Sequence, residues 1–339
     1  MVIDVRSPSE FADDHVPGAI NLPVLNDAER IEVGTLYAQD TFAARRLGAA
    51  LVSANIAAHL QGWCALQPRH WQPLLYCWRG GQRSRSFALV LREIGWKATV
   101  LEGGWRAYRR QVSIDLQALC AQRRFHVLTG LTGVGKTRLL QWLARQGANV
   151  LNLELLAGHR GSLLGQEPDR PQPTQKFFES LLCDTLHRTN PSQEIFVEAE
   201  SRRVGRLQIP PPLWHHMMAG RVTKITAPIE SRVLALTQDY DHFIRHPETL
   251  VNLLPTLIGP HSRSQVETWQ NLARTSQWHQ LVQSLLLLHY DPGYHRSVAF
   301  PAPSHHLHLA ALDDDSIHTS WNATPPPDPP PSPAATLHP

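Results

Sequence analysis

Cys77 lies in the segment YCWRGGQRS, between an apolar stretch, LLYC at residues 74–77, and a helical pattern that opens at Ser84. A loop joining a strand to a helix aims several backbone N–H groups inward, and the helix N-terminus adds positive potential. Gly80 and Gly81 permit tight curvature and positive φ. Arg79 and Arg83 bring charge, and Gln82 and Ser84 complete the loop. Each feature favours thiolate over thiol, so the Cys77 pKa is expected below that of a free cysteine. The result is a nucleophile inside an anion-binding bowl, suited to attack on sulfur, selenium or phosphorus carried by an anion. Cys64, Cys120 and Cys183 lack such surroundings and read as buried and inert.

A second segment, GLTGVGKT from Gly130 to Thr137, fits G-x-x-x-x-G-K-[ST] in full. It follows the strand pattern FHVLTG and precedes the helix pattern RLLQWLARQG, the context a P-loop requires. Gly130, Gly133 and Gly135 let backbone N–H groups wrap a phosphate. Lys136 reaches the terminal phosphates, and Thr137 is placed to ligand Mg²⁺. Such a loop binds a polyphosphate without thereby hydrolysing it. A metal-binding carboxylate should end a later apolar strand, and IFVEAESR offers Glu198 and Glu200, where Asp is the usual residue. His159 and Arg160, in the basic small-residue loop AGHRGSLLG, are candidate phosphate contacts, and Arg202 is a further candidate.

The elements that must hold these loops follow from the pattern of apolar residues. Strand patterns at VIDV, LLYC and KATV alternate with helical stretches at 42–60 and 84–94. FHVLTG, NVLNLE, EIFVEAES and RVTKITAP alternate with helices in the same way, which implies two α/β domains with mainly parallel sheets. Residues 230–290 read as mostly helical, with Trp269 and Trp278 as core anchors. The boundaries expected are 1–115, 120–300 and a proline-rich, disordered tail at 301–339, since clustered prolines oppose helix and ladder alike.

Composition narrows the class. The 339 residues are 42% hydrophobic, enough for packed cores and against wholesale disorder. No apolar run approaches the roughly 20 residues of a membrane span, and the N-terminus MVIDVRSPSEF shows no basic-then-apolar leader, so a cytoplasmic protein is expected. Four cysteines without a CxxC pair argue against a zinc site or a disulfide framework. A net charge of +3 permits an anionic partner without requiring one.

IDVRSPSEFADDHVPGAINLP, YCWRGGQRS and VLEGGWRAYRR resemble the opening motif, active-site loop and closing motif of a rhodanese domain. The Cys-x5-Arg spacing of Cys77 and Arg83 is one residue longer than the Cys-x4-Arg of common single-domain rhodaneses. It resembles that of dual-specificity phosphatases and would hold a larger anion, such as a phosphate ester or selenophosphate. With the P-loop and the segments NDAERIEVGTLYAQ, AGHRGSLLG, VEAESRRVG and YDPGYHRS, the order of motifs over residues 2–300 resembles the tRNA 2-selenouridine synthases.

That resemblance implies replacement of sulfur by selenium in the wobble 2-thiouridine of tRNAs for Lys, Glu and Gln. Selenophosphate is then the donor, and an S-geranyl intermediate is made from geranyl diphosphate. It implies a selenium adduct on Cys77 and the prenyl diphosphate on Lys136 and Thr137. No tightly bound cofactor is expected, Mg²⁺ is a candidate ion, and a selenophosphate synthase is a candidate partner. For tRNA phosphates the candidates are Arg202, Arg203 and Arg206, and Arg106, Arg109 and Arg110. Two other readings stay open. One is a rhodanese-type sulfurtransferase or phosphatase-like domain fused to a P-loop kinase. The other is an inactive chalcogen carrier.

Overall fold

The computed structural model describes residues 1–162, 164–167, 170–297 and 300–326. The chain divides into two compact units, Met1–Leu119 with Pro173–His187, and Cys120–Gln172 with the residues from Arg188 onward.

In the first unit β1 (Val2–Asp4), β2 (Ile20–Asn21), β3 (Leu74–Tyr76) and β4 (Thr99–Val100) form a parallel sheet in the order β2-β1-β3-β4. Parallel neighbours need crossover connections, and the helices Thr41–Gln61 and Gln82–Ile94 supply them. Ile3, Val5 and Leu75 from the sheet pack with Val52, Ile56, Phe87 and Leu91 from those helices. Phe87 and Leu91 stand one turn apart on the helix Gln82–Ile94, which ends at Gly95 in the left-handed conformation.

A buried ion pair braces the start of this unit. Asp4 takes the Arg6 guanidinium at 2.6 Å, and Arg6 also donates to the Asp14 carbonyl. The Asp14 carboxylate in turn accepts from Trp105 Nε1 at 2.9 Å and from Ser180 Oγ at 2.8 Å. Ser180 belongs to the helix Gln175–Arg188, which buries Phe178, Leu182, Cys183 and Leu186. Residues 173–187 therefore return to the first unit, which the expected boundary at 115–120 did not anticipate. The helix Gly104–Gln122 runs straight through that boundary. After Gly104 it contains neither glycine nor proline to stop it.

In the second unit β5 (Phe125–Thr129), β6 (Asn149–Leu151), β7 (Ile195–Glu198), β10 (Arg221–Thr226) and β11 (His305–His308) form a parallel sheet ordered β11-β10-β5-β7-β6. Between β7 and β10, a hairpin of β8 (Arg203–Val204) and β9 (Leu207–Gln208) turns at Gly205. Trp269 is fully buried in a helical cluster with Phe243, Leu250, Leu254 and Leu281, and Trp278 packs half-buried against it.

The expected tail at 301–339 is ordered over much of its length. β11 pairs in register with β10, and the helix Asp314–Ala323 opens on an Asp313 cap that accepts from Ser316 N at 2.8 Å. Leu307, Leu309, Leu312 and Ile317 are buried against Leu139, Leu140 and Leu143. The densest prolines begin only after Thr324. Before them, the His-Leu alternation at 306–309 is a half-buried strand pattern and DDDS is a helix start. Residues 327–339 of the expected tail lie outside the described residues.

Candidate active sites

In the first unit Cys77 follows β3 and is 3% exposed. Its Sγ accepts from Gly81 N at 3.2 Å and from Ser84 Oγ at 3.3 Å, with Ser84 fully buried. Burial alone would raise the thiol pKa. Hydrogen bonds from the Ser84 hydroxyl and from the backbone N–H groups of Ser84 and Arg79, with the charge of Arg83, outweigh it and hold Cys77 below the ordinary value. The helix Gln82–Ile94 starts directly beyond the sulfur and adds its positive end.

The glycines divide their work differently from the sequence expectation. Gly80 has φ +65°, and a Cβ there would meet Leu101 O at 2.6 Å. Gly81 has φ −93° and open space where its Cβ would point, so positive φ is required at Gly80 and not at Gly81, which serves through its N–H to the sulfur. The loop is held from behind by the LEGGW segment. Trp105 N donates to Cys77 O at 2.8 Å, and Trp105 stacks on Trp78 at 4.5 Å. Gly104, with φ +57°, presses against Cys77 O and Gly80 N so closely that no Cβ fits.

The charges also differ from expectation. Arg83 is paired with Glu10 at 2.7 Å, so part of its field is already matched. Arg79 and Gln82 are exposed at the rim, where Arg79 contributes its N–H to the sulfur. Glu10 went unnoticed in the sequence; it lies in the SPSEF motif, whose capping box explains its position without revealing its pairing.

The second unit places GLTGVGKT between β5 and the helix Lys136–Arg145. Gly130, Gly133 and Gly135 all have positive φ, and Cβ atoms would meet Ile225 O at 2.5 Å, Leu236 at 2.8 Å and Leu312 at 2.8 Å. Lys136 Nζ donates to Gly130 O at 2.8 Å and to Leu131 O at 3.3 Å, while Gly130 N donates to the Tyr294 hydroxyl at 2.9 Å. Arg232 braces the loop by donating to Thr132 O at 2.9 Å while pairing with Asp291 at 2.6 Å.

Three carboxylates stand around Lys136. Glu198 ends β7 beside β5, Glu200 follows it, and Glu154 opens the short helix Leu153–Ala157 after β6. Thr137 Oγ1 donates to Glu154 at 3.1 Å, and Glu154 N donates to Glu198 Oε1 at 2.8 Å. Glu198 Oε2 is buried without a partner among the described residues. Burial and the Glu154 charge push Glu198 up to about 8, and the same causes raise Glu200. Burial lowers Lys136 despite Glu200, Glu154 and Glu198 nearby. Hard oxygen donors beside a P-loop threonine fit Mg²⁺. The NVLNLE pattern predicts strand throughout and so hides Glu154, which the structure places on a helical turn after the strand ends at Leu151.

A cavity of about 660 Å³ collects Lys136, Thr137, Glu154, Arg160, Glu200 and Tyr294. His159 and Arg202 do not line it. The His159 ring accepts from Gly161 N at 3.1 Å, and Arg202 is exposed outside the cavity. Arg160 reaches the cavity but is paired with Glu167 at 2.6 Å and lies over the Tyr240 ring at 4.5 Å. Among the arginines considered for tRNA, Arg109 is occupied by Glu179 and Ser180. Arg106, Arg110, Arg203 and Arg206 are exposed, the last also donating to Gln172 O.

Residues 1–111 match the model of the rhodanese-like domain, and residues 123–249 match that of the tRNA 2-selenouridine synthase AAA domain. A tRNA 2-selenouridine synthase of Nitrosomonas europaea is 38% identical over 244 residues, 70% of this chain and 63% of that protein. The Bdellovibrio bacteriovorus relative of that name is 37% identical over 70% of this chain and 64% of its own length. The Nitrosomonas eutropha relative is 34% identical over 85% of this chain and 72% of its own length. The chain thus spans under two thirds of the first two relatives and somewhat more of the third. Likeness reaching across both loops, in the order in which the chain folds them, makes this protein a member of the tRNA 2-selenouridine synthase family.

Proposed function

We propose that this chain replaces the sulfur of wobble 2-thiouridine, in tRNAs for Lys, Glu and Gln, by selenium from selenophosphate. The observation that carries the reading is a buried thiol whose sulfur accepts from Gly81 N and Ser84 Oγ, in a chain that also folds a complete P-loop. Family membership supports it.

Sulfur on C2 of a thiouracil is a poor leaving group. Its attack on C1 of geranyl diphosphate forms a C–S bond, breaks the C–O bond and frees diphosphate, and the N3 proton is lost. Loop amides and Lys136 would hold the diphosphate. Thr137, Glu154 and Glu200 would hold Mg²⁺, which neutralises phosphate charge when bound. A small apolar cavity of about 70 Å³, lined by Leu236, Phe243, Leu250, Leu281 and Tyr290 among others, adjoins the phosphate cavity and offers surface to a prenyl chain.

Selenium then attacks C2 and expels geranylthiolate. Attack by selenophosphate itself, with water later cleaving Se–P, is redox-neutral. A balanced role for Cys77 is attack of its thiolate on the phosphorus of selenophosphate, which forms an S–P bond, breaks the Se–P bond and frees hydrogen selenide to attack C2. Water then cleaves the S–P bond and restores the thiol with no change of oxidation state, whereas an S–Se bond made from selenide-level selenium would need a two-electron oxidant that nothing here supplies. The exposed Arg106, Arg110, Arg202, Arg203 and Arg206 are proposed phosphate contacts for tRNA. A selenophosphate synthase is the proposed supplier of the donor, and the cytoplasm the proposed location. Among the described residues no helix is long and apolar enough to cross a membrane.

The test is mass spectrometry of nucleosides from thiolated tRNA incubated with the chain, geranyl diphosphate, selenophosphate and a thiol. A 2-selenouridine peak supports the reading; neither geranylated nor selenated product from folded protein defeats it.

A further inference from the structure

Cys183 and His187 stand four residues apart on the helix Gln175–Arg188, so their side chains share one face. Asp115, on the helix Gly104–Gln122, faces them, and its Oδ2 lies 3.1 Å from His187 Nε2. One donor atom from each of the three residues lies within 4.8 Å of the others. All three residues belong to the first unit.

We propose that Asp115, Cys183 and His187 bind one thiophilic divalent cation of the zinc class. A carboxylate, a thiolate and an imidazole form a borderline-soft donor set that suits zinc and disfavours Mg²⁺ or Ca²⁺. Metal–ligand distances of about 2.0–2.3 Å require only small side-chain movements from this arrangement. The Asp115 Oδ1 atom accepts from Gln111 Nε2 at 2.7 Å, an outer contact that orients the carboxylate and leaves Oδ2 for the cation. Cys183 is buried while His187 is about half exposed, so the site opens on one side, where water completes a fourth position. Without a cation the thiol is protonated: burial, with Asp115 and Asp184, pushes it up to about 12. Cation binding releases that proton to solvent.

The site would staple the returning segment 173–187 to the helix Gly104–Gln122. It would close a long chain loop and so constrain the unfolded state, as a crosslink does.

The test uses the untagged full chain carrying Cys77→Ser, so that the reactive thiol does not compete. Co²⁺ is titrated while the thiolate-to-cobalt band in the near ultraviolet is followed, and Zn²⁺ then displaces it. One equivalent with that band is expected, with at least tenfold weaker binding in Cys183→Ser and in His187→Ala. Zn²⁺ should raise the melting temperature of the parent and not of those variants. Absence of the band in the parent, or an unchanged titration in the folded Cys183→Ser chain, overturns the proposal. Should Cys183→Ser fail to fold, Asp115→Asn and His187→Ala carry the same comparison, since both positions reach the surface.

Discussion

Cys77 is acidified by hydrogen bonds more than by nearby cations. The Ser84 hydroxyl is its foremost stabilising neighbour, and Arg83 is shared with Glu10. A hydrogen bond to a charged group contributes about 1.5–3 kcal/mol, so Ser84→Ala should raise the pH of half-maximal Cys77 alkylation by about one to two pH units. Wild-type Cys77 should react at neutral pH while Cys64, which burial pushes up to about 11, stays unmodified. Peptide mapping after iodoacetamide treatment measures both. At the second site the raised Glu198 pKa makes a prediction of definite sign. A carboxyl group whose folded pKa lies above its unfolded value stabilises the fold most when protonated, and that stability is lost as pH rises through about 8. A cation held by Glu154 and Glu200 beside it should favour the ionised form of Glu198 and reverse the trend. The rise in melting temperature caused by Mg²⁺ with diphosphate should therefore be larger at pH 8.5 than at pH 6, and an equal rise at both would remove Glu198 from the cation's surroundings.

Among elements, the loops were legible because their chemistry is written in consecutive residues. The P-loop glycines have the positive φ that the motif requires. What pairs across the chain was not legible: Glu10 with Arg83, Glu154 with Thr137, and Gly104 beneath Cys77. Glu154 lies on a one-turn helix, too short for a periodic pattern. The strand β11 is masked in the sequence by the prolines that crowd the end of the same segment. Gly81 and Gly104 separate two roles that the sequence could not. Gly104→Ala combines a strained φ with backbone collision, and should cost about 2 kcal/mol or more and abolish neutral-pH labelling of Cys77. Gly81→Ala has negative φ and open space, so it should change stability by less than about 1 kcal/mol and lower selenophosphate turnover far less than Gly104→Ala does. Denaturant melts and selenophosphate turnover distinguish these outcomes.

Across the whole molecule, each unit builds its own core around its own loop, but sequence order does not respect the division. Residues 173–187 belong to the first unit although the sequence on either side belongs to the second. The C-terminal strand and helix complete the second unit's core rather than trail from it. Leu309 is fully buried there, so Leu309→Ala should cost about 2–5 kcal/mol, read from denaturant unfolding of the full chain. On the proposed function the chemistry is divided, with prenyl transfer at the P-loop and selenium transfer at Cys77. Nucleoside mass spectrometry on Cys77→Ser and Lys136→Ala tests it most directly, with thiolated tRNA, geranyl diphosphate, selenophosphate and thiol supplied together. Cys77→Ser should accumulate S-geranyl-2-thiouridine without 2-selenouridine. Lys136→Ala should lose the geranylated product first, yet convert pre-geranylated tRNA to the selenated form. Loss of both products in folded Cys77→Ser protein would contradict the account.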